Sequence, residues 1–313
     1  MKKRFLLLAL MAACGLASAQ DEAIFSHYLI NPVLINPAAS GFGDVYQLQL
    51  NARAQWSGFA DAPQTYAAQY NGPLGNNFGL GFGVLTETAA QINRTRAHLN
   101  YAFRFDVGDY VKLAAGFSAD YQRIRLDNSV ASSVFFQEGD RVIADFMDGQ
   151  GVFDASIGLF SSINDDTQIG LAFTNLVRSR VASIEENDES LLKYYLFFAS
   201  HRINVEELNF IMEPSILVRR IRDVPSQVDI NLKASFLDEV LTTGLSYRSL
   251  GSLGFLLGLR MPPPKENKSN LFFHFYYSYD LFFQQFQRYN DGSHEVTIAL
   301  SFGRAGKPAY RRF

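Results

Sequence analysis

The stretch VYQLQLNAR (45–53) places Tyr46, Leu48, Leu50 and Ala52 at one parity and Gln47, Gln49, Asn51 and Arg53 at the other. Successive side chains of a strand point to opposite faces, so this segment predicts a β-strand with one apolar and one polar face. TRAHLNYAFRF (95–105) sets Leu99, Tyr101, Phe103 and Phe105 against Arg96, His98, Asn100 and Arg104, and QVDINLKASF (227–236) sets Val228, Ile230 and Leu232 against Gln227, Asp229 and Asn231. About fourteen such segments follow one another, near residues 45–53, 64–71, 78–86, 95–105, 111–121, 152–160, 167–176, 194–202, 208–219, 227–236, 240–249, 253–260, 270–280 and 294–303. The expectation is an all-β fold: a transmembrane antiparallel β-barrel of about 14 strands, preceded by a turn-rich N-terminal segment.

A soluble sandwich would turn the apolar faces inward, whereas a membrane barrel turns them toward lipid and lines its lumen with the polar ones. The pairs Arg96/Arg104 and Asp229/Lys233 suit both arrangements. Aromatic residues make up 14% of the chain and gather near strand ends, as at 101–105 and 273–279, which is where interfacial girdles sit. The connections decide for the barrel. Short links (GPLGNN, DVGD, INDD, NVEE, LDEV, with PPPKENKS longer) alternate with long ones, namely AQWSGFADAP, TAAQINR, the stretch 122–151, the acidic IEENDESLLK, RIRDVPS and FFQQFQRYNDGSH. Only the tight LGS link breaks the series of long loops, which belong outside the cell if the short turns are periplasmic.

Lys2, Lys3 and Arg4 lead into an apolar run (5–16), and Ala17-Ser18-Ala19 precedes Gln20, the layout of a secretory signal peptide cut near Ala19/Gln20. A competing reading makes Met11 to Gly15 a weak lipoprotein box with Cys14 as the acylated residue, but that leaves a short apolar core. After the Ala19 cut no cysteine remains, which excludes disulfides and thiolate chemistry. The cut also removes three basic and no acidic residues from a chain of 28 Lys+Arg and 31 Asp+Glu, so nothing suggests a nucleic-acid partner. The expected organisation is signal peptide 1–19, Asn-Pro segment 20–44, outer-membrane barrel 45–303 and tail 304–313.

FSHYLINPVLINPAASGF (25–42) repeats Asn-Pro at Asn31-Pro32 and Asn36-Pro37. Proline lacks a backbone N–H and disfavours a helical residue before it, so this apolar segment must fold as turns and needs shelter at the barrel's periplasmic mouth or in its lumen. Together with RAQWSGFADAPQTY (53–66) it resembles the start of the PorP/SprF family of type IX secretion system membrane proteins of Bacteroidetes. The matching pieces are Asn31-Pro32, Asn36-Pro37-Ala38, Gly41, Gln55-Trp56, Gly58-Phe59 and Ala62-Pro63. The resemblance implies a non-enzymatic outer-membrane component of a secretion and gliding apparatus. Its implied partners are outer-membrane lipids, ring and motor components, and surface cargo proteins with C-terminal sorting domains. Asn31, Pro32, Asn36, Pro37, Gly41, Trp56, Gly58, Phe59 and Pro63 are then the candidate partner-binding residues. A passive channel or small-solute transporter is the alternative that the polar lumen face suggests.

Other residues have plainer readings. Trp56 suits a headgroup-level belt as well as a partner anchor. His27, His98, His201, His274 and His294 are scattered without metal-ligand spacing, and QEGDRVIADFMDG and EENDES form no EF-hand loop, so solvated loops are expected and no metal or other cofactor. Arg219, Arg220 and Arg222 suit contacts with outer-leaflet phosphates. No nucleophile elbow or phosphate loop occurs, which speaks against an enzyme. In FGLGFG (78–83) the glycines share one parity, as a lumen face needing room would require.

Overall fold

The computed structural model describes residues 25–132, 141–177, 192, 194–205, 210–220, 226–249, 251–261, 271–283 and 291–303. The expected signal peptide, Cys14 and the tail 304–313 lie outside the described residues. Strands β1 (Val45–Ala54), β2 (Gln64–Leu74), β3 (Phe78–Ala89), β4 (Ile92–Val107), β5 (Val111–Leu126), β6 (Gln150–Ile163) and β7 (Thr167–Phe173) form a continuous antiparallel meander. The wall continues through β8 (Tyr195–His201), β9 (Ile203–Val205), β10 (Phe210–Arg220), β11 (Gln227–Phe236), β12 (Leu241–Arg248), β13 (Ser252–Met261), β14 (Leu271–Phe282) and β15 (Ser293–Gly303). β8 and β9 are interrupted at Arg202 and pair with β10 one after the other, so they form one stave. Val45 of β1 pairs with Gly303 of β15, which closes a 14-stranded barrel.

Burial is inverted relative to a soluble protein. Along β1 the polar Gln47, Gln49, Asn51 and Arg53 are buried, while Leu48 and Leu50 are 43% and 50% exposed. The same holds in β4, with Leu99, Tyr101 and Phe103 outward and Asn100 and Arg104 inward, and in β11, with Ile230 and Leu232 outward and Asp229 and Asn231 inward. An apolar outer surface with a polar interior is stable only when lipid is the outer solvent. Stacked or tilted aromatics mark the outer wall near both rims: Phe78, Tyr101, Phe103 and Phe105 near one, Tyr277, Tyr279 and His294 near the other.

Links 75–77, 108–110, 164–166 and 237–240 are tight turns at one rim, where β1 begins and β15 ends. The loop 55–63 and the described stretches 127–132 and 141–149 lie at the opposite rim, the last carrying α1 (Arg141–Asp148), whose final carbonyls accept hydrogen bonds from Arg123 and Arg125 of β5. One expected long loop is corrected. TAAQINR is not a loop, because β3 and β4 pair as far as Ala89 and Ile92, leaving a two-residue link with Ala90 at φ 51°. Strand pairing there satisfies backbone groups that a loop would leave to solvent.

Candidate functional site

The lumen is occupied by residues 25–44, which form three single 3-10 turns, Ser26–Leu29, Pro32–Leu34 and Pro37–Ala39. The two Asn-Pro repeats have one design. Asn31 (φ −138°, ψ 95°) and Asn36 (φ −148°, ψ 116°) are extended, and their side-chain oxygens accept the N–H groups of Val33 and Ala38 at 3.2 and 3.0 Å. The following proline stands at the first helical position, where its missing N–H costs nothing. The other end of each amide reaches the wall. Asn31 Nδ2 donates to Gln49 Oε1 at 2.9 Å, and Asn36 Nδ2 to the carbonyls of Leu159 and Leu171 at 2.9 and 3.3 Å. Each asparagine is thus both a turn cap and a staple to the barrel.

Toward the long-loop rim the segment ends in buried charge. Arg53 donates to Ser26 Oγ (2.8 Å), Glu295 (2.9 Å) and Asp280 (2.9 Å), and Arg248 donates to Asp280 (2.9 Å) and Ser26 Oγ (2.7 Å). Glu295 accepts the backbone N–H groups of Ser26 and His27 at 2.7 and 3.2 Å, and His27 Nδ1 lies 2.5 Å from Thr297 Oγ1. Tyr28 donates to Asp229, which pairs with Arg219 at 3.4 Å. Every one of these carboxylates faces an arginine, the condition under which buried charge is tolerated. Toward the short-turn rim Arg104 holds the exit of the segment, donating to the carbonyls of Gly41 (2.5 Å) and Phe42 (3.0 Å) and to Asp44 (3.0 Å).

Between these anchors Tyr28, Val33, Ile35, Ala38 and Ala39 form the apolar core with Ala114, Phe160, Phe198 and Leu217 of the wall. Glycine makes the close approach feasible. A Cβ on Gly79 would run into the Ser40 carbonyl, one on Gly116 into the Ala38 backbone, and one on Gly158 into the Asn36 side chain. At Gly79 and Gly81 the room expected from FGLGFG is taken by Ser40 of the N-terminal segment, whereas at Gly83 it is taken by His98 and Gln69 of the wall.

The candidate residues separate into two groups. Asn31, Pro32, Asn36, Pro37 and Gly41 are buried in the lumen, with Gly41 at φ 63° where a Cβ would meet the Gly72 carbonyl. Trp56, Gly58, Phe59 and Pro63 lie in the β1–β2 loop at the other rim, with Gly58 and Phe59 exposed. That loop is tied to the start of β15: the Trp56 N–H donates to Ser293 Oγ (3.0 Å), Ser57 N–H to the Gly292 carbonyl (2.8 Å), and the Trp56 ring meets Phe282 edge-on at 6.5 Å. Arg219 requires a correction. It points into the lumen, 3% exposed, bonded to Gln227 and Asp229 instead of outer-leaflet phosphate, because its parity in β10 is the inward one. Arg220 is exposed, and Arg222 lies outside the described residues. The anchoring charges Arg53, Arg104, Arg248, Asp280 and Glu295 are functional candidates that the sequence reading missed. Their inward parity was legible, but partners such as Arg53 and Glu295 are far apart along the chain.

The family model described as type IX secretion system membrane protein PorP/SprF matches residues 17–300. No curated protein matches the sequence. Among solved structures, the chain is similar to the CymD monoaromatic hydrocarbon channel, with 10% identity over 92% of this chain and 94% of that one and a TM-score of 0.52. It is also similar to the Ralstonia pickettii toluene transporter TbuX, with 11% identity over 92% and 96% and a TM-score of 0.50. At such identities the likeness speaks for the barrel fold alone.

Proposed function

Because the chain belongs to the PorP/SprF family of type IX secretion system membrane proteins, we propose that it acts in the outer membrane as a non-enzymatic docking barrel. In this role it supports secretion or surface attachment of cargo proteins that carry C-terminal sorting domains, beside the ring and motor components of the apparatus. The observation that carries this reading is the filled lumen. A segment anchored by buried ion pairs at one end and by Arg104 at the other occupies the lumen, which supports a scaffold over an open channel. The passive-channel reading rests on a polar lumen face, and much of that face is engaged by the segment.

Docking then uses the surfaces at the rims: Trp56, Gly58, Phe59 and Pro63 at one, the short turns and the segment's exit at the other. The Asn-Pro residues contribute indirectly, by fixing the segment. Affinity capture from intact envelopes tests the reading. Ring components and a surface protein with a sorting domain are expected to dominate the captured material, and a Phe59→Ala, Trp56→Ala variant is expected to lose part of it. Large, steady, ion-selective currents from the purified protein in planar bilayers, without such capture, would establish the channel instead.

A further inference from the structure

A cavity of about 130 Å³ remains between the lumenal segment and strands β2 to β6. Its making can be followed in the strand register. Gln69 of β2 stands opposite Gly83 of β3, and Gly83 stands opposite His98 of β4, so the absence of a side chain at Gly83 lets the Gln69 and His98 side chains come together at the edge of the hollow. Asn100, two residues further along β4, lines the same hollow, while Val33, Leu34 and Ile35 of the segment form an apolar wall on it. Arg96 borders it, with its side chain 27% exposed.

Unpartnered buried polar atoms occur at several places in the lumen, Asn71 and Gln227 among them, and Gln69 is the one that lies beside this hollow. Gln69 is 4% exposed and its Nε2 has no hydrogen-bond partner, and neither His98 nor Asn100 makes a side-chain hydrogen bond among the described residues. Unmet donors and acceptors in a buried place are what a ligand's own polar atoms satisfy. The charged groups beside them are already engaged. Asp120 receives Arg96 at 3.1 Å and the hydroxyls of Ser118 and Ser156 at 3.2 and 3.5 Å. What is left to recognise a ligand is the carboxamides of Gln69 and Asn100, the His98 imidazole and the Thr174 hydroxyl, facing aliphatic side chains.

We propose that this hollow is a binding site for an uncharged, amide-bearing ligand with a small aliphatic group. A carboxamide presents one donor and one acceptor side by side, the pattern a second amide complements, and an imidazole adds one of each. An anion would find its cation paired with Asp120, and a cation would find the carboxylate already taken. Val33, Leu34 and Ile35 give the aliphatic group a place out of water. The site does not depend on the secretion role, and its test does not read that role.

The probe is N-acetyl-L-leucinamide, titrated into the full-length mature protein in detergent micelles and followed by calorimetry and saturation-transfer NMR. Saturable binding is expected, at least tenfold weaker for N-acetylglycinamide, which lacks the aliphatic group, and at least tenfold weaker in Gln69→Leu. Ala67→Leu, which projects a side chain into the hollow from β2 without removing a polar group, is expected to abolish binding. Heat-modifiable migration of each variant reports that the barrel has folded. Uptake that does not saturate, as partition into the micelle gives, or saturable binding left unchanged in either folded variant, would overturn the proposal.

Discussion

Glu295 is fully buried and joins wall to segment through Arg53 and two backbone N–H groups. Removing one member of a buried ion pair strands the other without solvent, at a cost of about 3–5 kcal/mol. Glu295→Ala is therefore expected to lower the barrel's unfolding free energy by about that amount in urea titrations, and to expose residues 25–30 to protease. The same replacement at Leu50, 50% exposed on the lipid face, removes apolar contact alone and is expected to leave the segment protected. Gly116 makes a complementary case. Gly116→Val puts a branched side chain where the Ala38 backbone sits, so the segment is expected to lose its seat while β5 keeps its ladder to β4 and β6.

The Asn-Pro turns and the strands carry different parts of the stability. Replacing Asn31-Pro32 and Asn36-Pro37 together by alanine pairs removes two caps, two wall staples and the restriction that proline places on the free segment. The strands are untouched, so a heat-modifiable barrel is expected in the membrane at normal abundance, with new conductance in planar bilayers and reduced capture of partners. Loss of the barrel itself would mean that the segment is needed for assembly. In β11, Leu232→Arg puts a charge against lipid and is expected to cost about 2–4 kcal/mol if it lies near the midplane. Its inward neighbour Asn231 bonds Tyr28, so Asn231→Ala is expected to loosen the segment with little effect on the wall. Equal effects of the two substitutions on wall stability would contradict the assignment of faces.

At the scale of the molecule, the barrel is a shell whose core is its own N-terminal segment. The segment runs from the charged cluster near the long-loop rim to Arg104 at the short-turn rim, so it crosses most of the lumen before β1 begins. Orientation follows from the loops: in a chain whose one cysteine, Cys14, is replaced by serine, single cysteines at Phe59, in a long loop, are expected to react with impermeant maleimide on intact cells, and at Asp165, in a short turn, to stay unlabelled until the envelope is opened. The reverse pattern would place the short turns outside.

The strands and their faces were legible in the sequence because a strand's side chains alternate with period two whatever it pairs with, and β1, β4 and β11 show it without ambiguity. That Asn31-Pro32 and Asn36-Pro37 would make turns was equally local, since proline restricts its own φ and the residue before it. Ala90 marks the limit of such reading: a two-residue link is set by how far β3 and β4 find each other, and the residues around it carry no strong turn signal. What the segment binds was decided only in three dimensions. Arg53, Asp280 and Glu295 meet because closing the barrel sets β15 between β1 and β14, and Gly79, Gly116 and Gly158 become a seat because β3, β5 and β6 curve around one backbone. Alternation is a property of each strand's own geometry and survives in the sequence, whereas such contacts join residues far apart in the chain and exist only once the sheet has closed.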